Sequence, residues 1–260
     1  MKNTDHVKSP AAGFVSSAMK TFPEKARRFI DFCFCACFFP EVIGAARFLK
    51  IKGPTSIADK FFLYVISKNI PLEGDILEIG SFMGSSSILL AAGNELSVNK
   101  GIVWLIEPYP RPDKEQFFNV FRKHRLDKHI RLVDKASEEA RGAVDSKFRF
   151  IFIDGNHEYE YVKKDILLWQ ECLKEGGIIA FHDYTLDGVS KAIDELIRRS
   201  DNFTILGNIS GVLYAVKGKL VSDDLISRLN KLNKIREKCV SIAINFGLKG
   251  RQPLAVKIQL

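Results

Sequence analysis

The alternation of hydrophobic and polar positions divides this chain into stretches of different rhythm. Residues 1–24 are polar and carry no period. From residue 25 to residue 70 apolar positions recur at helical spacing, interrupted at Pro40 and Pro54, and 57–67 reads as an amphipathic helix. From Asp75 onward, short apolar runs alternate with longer helical patterns. The predicted strands are 76–79, 102–106, 130–133, 148–153 and 178–181. Predicted helices cover about 85–92, 114–124, 138–143, 159–173 and 187–198, with Glu175-Gly176-Gly177 ending the fourth. The rhythm then changes again. Two strand-like runs, 203–206 and 212–216, are joined by a linker too short for a parallel crossover, so they pair antiparallel.

Strand–helix units followed by a hairpin predict an α/β fold. The expectation is a Rossmann-like doubly wound sheet, mostly parallel, with one antiparallel strand from the C-terminal β-hairpin. Residues 1–70 form an N-terminal helical cap in this scheme, 71–218 the central domain, and 219–260 a tail. Leu225, Leu229, Leu232, Cys239, Ile242 and Phe246 give that tail an amphipathic helical pattern.

Composition narrows the class. Hydrophobic residues at 46% and charged residues at 27% exclude wholesale disorder. The net charge is +8, and residues 217–260 carry ten Lys/Arg against three Asp/Glu. Such a tail suits an anionic neighbour or a solvated helix face. Five cysteines, three of them at Cys33, Cys35 and Cys37, make a poor disulfide framework and point to a reducing, cytoplasmic setting. No Cys/His spacing suggests a zinc or iron–sulfur site. The aromatic run 29–39 follows Lys25-Ala26-Arg27-Arg28 and stops at Pro40, short of the roughly 20 residues that span a bilayer. It reads as a buried cap, a contact in a homo-oligomer, or a helix lying peripherally on a membrane.

The chemistry collects at strand ends. In open parallel sheets, ligands bind beyond the carboxyl ends of the strands. Those ends carry Glu78 and Gly80, Glu107, Ser137, Asp154, and His182 with Asp183. Glu78 is a carboxylate inside an apolar strand, a conflict that marks functional positions. Glu107 closes the second strand, where a carboxylate accepts hydrogen bonds from paired ribose hydroxyls. The dinucleotide fingerprint G-x-G-x-x-G is absent, and Phe82 and Met83 stand where a pyrophosphate needs bare backbone. A phosphate-free adenosine cofactor with a sulfonium centre fits better.

The pattern Glu78-x-Gly80-x-x-x-Gly84-x-Ser86 resembles motif I of the class I S-adenosylmethionine-dependent methyltransferases of the catechol and caffeoyl-CoA type. The stretch from Phe152-Ile153-Asp154-Gly155-Asn156-His157 to Gly176-Gly177 and His182-Asp183-Tyr184 is similar to the macrolide- and aminocoumarin-sugar O-methyltransferases. The similarity spans about 56–218. It implies that Gly80, Ser81, Gly84 and Ser86 pass under the methionine moiety of S-adenosyl-L-methionine. Glu78 would lie near its ammonium group or support the loop. Glu107 would hold the ribose, and Ser137 would reach an adenine ring nitrogen by hydroxyl or backbone amide. Asp154 would border the cofactor and, with His182 and Asp183, hold a divalent cation. His182 departs from the carboxylate found there in metal-dependent relatives, which favours manganese, zinc or no metal over magnesium. His157 takes the place of a general base, and His182 is a ligand, a second base or a structural residue.

The implied activity is methylation of a hydroxyl on a sugar, glycan precursor or small secondary metabolite. The alternative is a non-catalytic, membrane-associated or scaffold protein that keeps the cofactor fold. A nucleic-acid methyltransferase fits poorly, because the positive charge is a tail rather than a basic–aromatic groove.

Overall fold

The computed structural model describes residues 53–110 and 113–218, with 44, 45, 47–49, 51 and 227 besides. The aromatic run 29–39, most of the N-terminal cap and the basic tail lie outside the described residues. Helix α1 (Ile57–Asn69) begins at Ser56, whose hydroxyl accepts from the Asp59 amide at 3.1 Å, and ends before Pro71. Strand β1 (Asp75–Ile79) leads into α2 (Ser87–Glu95), and β2 (Val103–Ile106) into α3 (Lys114–Arg122). Strand β3 (Ile130–Val133) precedes the single turn α4 (Ser137–Ala140), and β4 (Phe148–Ile153) precedes α5 (Tyr159–Trp169). Strand β5 (Leu173–Phe181), α6 (Asp187–Ile193), β6 (Phe203–Ile209) and β7 (Val212–Lys217) complete the order.

The seven strands run β3-β2-β1-β4-β5-β7-β6, and β7 is antiparallel to both of its neighbours. The doubly wound sheet with one reversed strand is therefore present as expected. Alternate residues of each central strand enter opposite cores. Ile76, Phe150, Phe152 and Tyr214 pack beneath α1, α2 and α3, whereas Leu77, Ile151, Ile153 and Leu213 pack with α5 and α6 residues.

One boundary differs from the sequence reading. Glu175-Gly176-Gly177 do not simply end a helix; they lie inside β5, which begins at Leu173. Gly176 adopts φ +74° where the β4–β5 register shifts, so the glycine pair forms an irregularity within the strand. Arg149 anchors the opposite end of the sheet. Its buried guanidinium donates to Asn94 Oδ1 at 2.7 Å and to the Gly74 carbonyl at 3.1 Å.

Candidate active site

The carboxyl ends of the parallel strands open into a cleft of about 720 Å³, a volume suited to a small-molecule cofactor site. Its first wall is the β1–α2 loop. Gly80 adopts φ +88°, and a Cβ there would stand 2.3 Å from the Asp154 carbonyl oxygen, so only glycine lets the ends of β1 and β4 converge. Glu78 is fully buried beneath this loop and does not line the cleft. Ser81 donates to its Oε2 at 3.1 Å, and Ser87 bonds the same oxygen. Burial pushes the Glu78 carboxyl up to about 7, against the hydrogen bonds of Ser86, Ser87 and Ser81. Ser81 and Ser86 both line the cleft, and their hydroxyls bond Glu78. Gly84 packs under the Phe117 and Phe121 rings rather than on the cleft.

Glu107 forms the second wall. Its Oε2 accepts from the Phe82 amide at 2.7 Å and its Oε1 from the Tyr109 amide at 2.9 Å. Phe82 is held at φ +46°, a conformation uncommon for a bulky residue. The two amides fix the carboxylate and leave lone pairs on both oxygens for a ligand. Beyond it, Ser137 lines the cleft while its Oγ accepts from Trp169 Nε1 at 2.8 Å.

At the cleft floor four side chains converge from the ends of β4 and β5. His182 Nδ1 lies 3.1 Å from Asp154 Oδ1 and 3.4 Å from Asp183 Oδ2. His157 Nε2 lies 3.6 Å from Asp183 Oδ2 and 3.9 Å from Asp154 Oδ1. The two facing nitrogens, His182 Nδ1 and His157 Nε2, are shut off from solvent. One atom each from Asp154, His157 and His182 lies within 4.8 Å of the others, an N,O donor set that fits a divalent ion. Behind His182 stands Asp59 of α1, with Oδ2 3.6 Å from Nε2. Burial opposes charge on His182, but contacts with Asp154, Asp183 and Asp59 prevail and push it up to about 12. Without an ion, His182 is thus a cation among three carboxylates.

Residues 77–184 match a family described as a methyltransferase domain. The chain carries a methyltransferase domain. Solved structures share the architecture of this domain. An O-methyltransferase from Bacillus cereus in complex with SAH is 18% identical, with 80% of this chain and 97% of that chain covered and a TM-score of 0.51. The O-methyltransferase TomG from Streptomyces achromogenes, in complex with SAM, is 16% identical over 80% and 96% of the two chains, with a TM-score of 0.51. The SAH-bound methyltransferase PaMTH1 from Podospora anserina is 17% identical over 84% and 100%, with a TM-score of 0.53. At these identities the likeness establishes the methyltransferase fold.

The methyltransferase cleft brings together Gly80, Ser81, Ser86, Glu107, Ser137, Asp154, His157, His182 and Asp183, but not Glu78 or Gly84. Two carboxylates escaped the sequence reading. Asp59 and Asp165 both sit on buried helix faces, only 2% and 6% exposed. A charge on an inward helical stripe is the same conflict that singled out Glu78, and applied to helices it finds both.

Proposed function

We propose that this methyltransferase moves the sulfonium methyl group of S-adenosyl-L-methionine onto a hydroxyl oxygen of a sugar, glycan precursor or small secondary metabolite. One observation supports this reading above the rest. The imidazoles of His157 and His182 and the carboxylates of Asp154 and Asp183 meet at the floor of a cleft whose other walls are the Gly80 loop and Glu107. The sugar-modifying relatives that the motifs resemble, and the SAM- and SAH-bound neighbours, point the same way.

The residues divide the work. The backbone of Gly80, Ser81 and Ser86 carries the methionine moiety, and Glu107 accepts from the ribose hydroxyls. The bound donor supplies a methyl group on positive sulfur, open to in-line attack. Orientation of the acceptor oxygen provides much of the acceleration. His157, exposed enough to meet an acceptor, takes the hydroxyl proton as attack proceeds. With an ion bound instead, Asp154, His182 and His157 would hold it, Asp183 standing outside that set, and the ion would lower the pKa of the acceptor hydroxyl.

Transfer of a labelled methyl group from S-adenosyl-L-methionine into pools of hydroxyl-bearing metabolites and saccharides tests the reading. Label should appear as base-stable ethers. His157→Ala should cut transfer by about 100-fold or more while leaving SAH affinity within about threefold. Undiminished transfer would remove His157 from the base role, and label confined to nitrogen or carbon would remove the hydroxyl acceptor.

A further inference from the structure

The structure assigns Asp165 as the residue that reads the exocyclic amine of the cofactor's base, an inference that rests on the S-adenosylmethionine reading above. Asp165 lies on the inward stripe of α5 with Val162, Ile166 and Trp169, and its side chain lines the cleft. Only 6% of it is exposed, and no basic side chain among the described residues forms an ion pair with it. A buried carboxylate with no cation costs stability, and such costs are retained where a site needs the group.

Its place in the cleft specifies the ligand edge it would meet. In the proposed function Asp154, His157 and His182 meet the reacting groups, Glu107 the ribose and Ser137 the base. Asp165 stands beside Ser137, whose hydroxyl it bonds, and beside the β4 loop, where its Oδ2 is 3.8 Å from the position of a Cβ on Gly155. Ile79 and Ile106 supply apolar walls to the same cleft, suited to the faces of a planar ring. The Ser137 hydroxyl is already occupied, since it accepts from Trp169 Nε1 at 2.8 Å and also bonds Asp165. It cannot then serve a ring nitrogen, which leaves that contact to the backbone amide. An ionised carboxylate only accepts hydrogen bonds. The edge of adenine carries one exocyclic donor, the 6-amino group, and Asp165 is the acceptor placed for it.

A cycle of ligands and variants isolates the contact. The full-length protein is titrated calorimetrically at pH 8 with S-adenosylhomocysteine and with the analogue whose 6-amino group is replaced by hydrogen. The parent protein should bind the deamino analogue about 10- to 100-fold more weakly, the range for a hydrogen bond to a charged group. In Asp165→Ala that ratio should collapse to within about threefold, and in the shape-preserving Asp165→Asn it should fall to an intermediate value. Equal affinity of the parent for both ligands overturns the assignment and needs no variant, and so does a full ratio retained by either variant. If the parent binds neither ligand, the cofactor reading itself fails and takes this assignment with it. Binding of S-adenosylhomocysteine without discrimination removes Asp165 alone.

Discussion

At the scale of single residues, the cleft is built on charges held in unfavourable places. Glu78 binds its proton more tightly in the folded chain than in the unfolded one, with a value raised from 4.5 to about 7. An acid shifted upward makes stability fall as pH rises between those two values. Glu78→Gln should therefore gain stability relative to the parent by about 3 kcal/mol between pH 4.5 and pH 7.5, read from chemical unfolding at each pH. A pH-independent difference would show that the buried carboxyl is not the group titrating. His182 is raised as well, but the proton it keeps makes it a cation. Its value of about 12 means that an entering ion must displace a proton. Manganese or zinc binding at pH 7.5 should release about one proton per ion, visible as a heat that depends on the buffer's ionisation enthalpy. Ion binding with a buffer-independent heat would contradict ligation by His182.

At the scale of elements, α1 belongs to the site although it lies outside the matched residues 77–184. Asp59 accepts from the Gly211 amide at 2.9 Å and from Ser56 Oγ at 2.6 Å, and it backs His182. One carboxylate thus ties α1, the β6–β7 turn and the end of β5 together. Asp59→Ala leaves a buried amide and a buried imidazolium short of a partner, and should cost about 3 kcal/mol in urea unfolding. A loss below about 1 kcal/mol would mean that the three elements hold without it. The same elements show what was legible in the chain. Strands β1 to β5 were readable because buried parallel strands are continuous apolar runs, and β7 because its linker is short. The start of β5 was not, because a glycine pair ends helices and also breaks strand register, and sequence alone does not choose between the two. Asp59 was hidden for another reason. Its partners lie about 120 and 150 residues away and meet it only through the sheet order.

At the scale of the whole molecule, the candidate site is a set of strand ends that one fold brings to a single cleft. Its residue types were legible from motif spacing, but their division of labour was not. Glu78 and Ser81 face one another beneath the loop instead of a ligand, whereas Glu107 is aimed by two backbone amides from the loops on either side. The cleft stands on a sheet packed between helices on both faces, and among the described residues no helix is long and apolar enough to cross a membrane. Calorimetric titration of the full-length protein with S-adenosylhomocysteine, in the parent and in Glu107→Ala, tests the central claim most directly. The account predicts one site of micromolar affinity in the parent, weakened about tenfold or more in the variant. Absence of binding in the parent, or equal binding in the two, would contradict it.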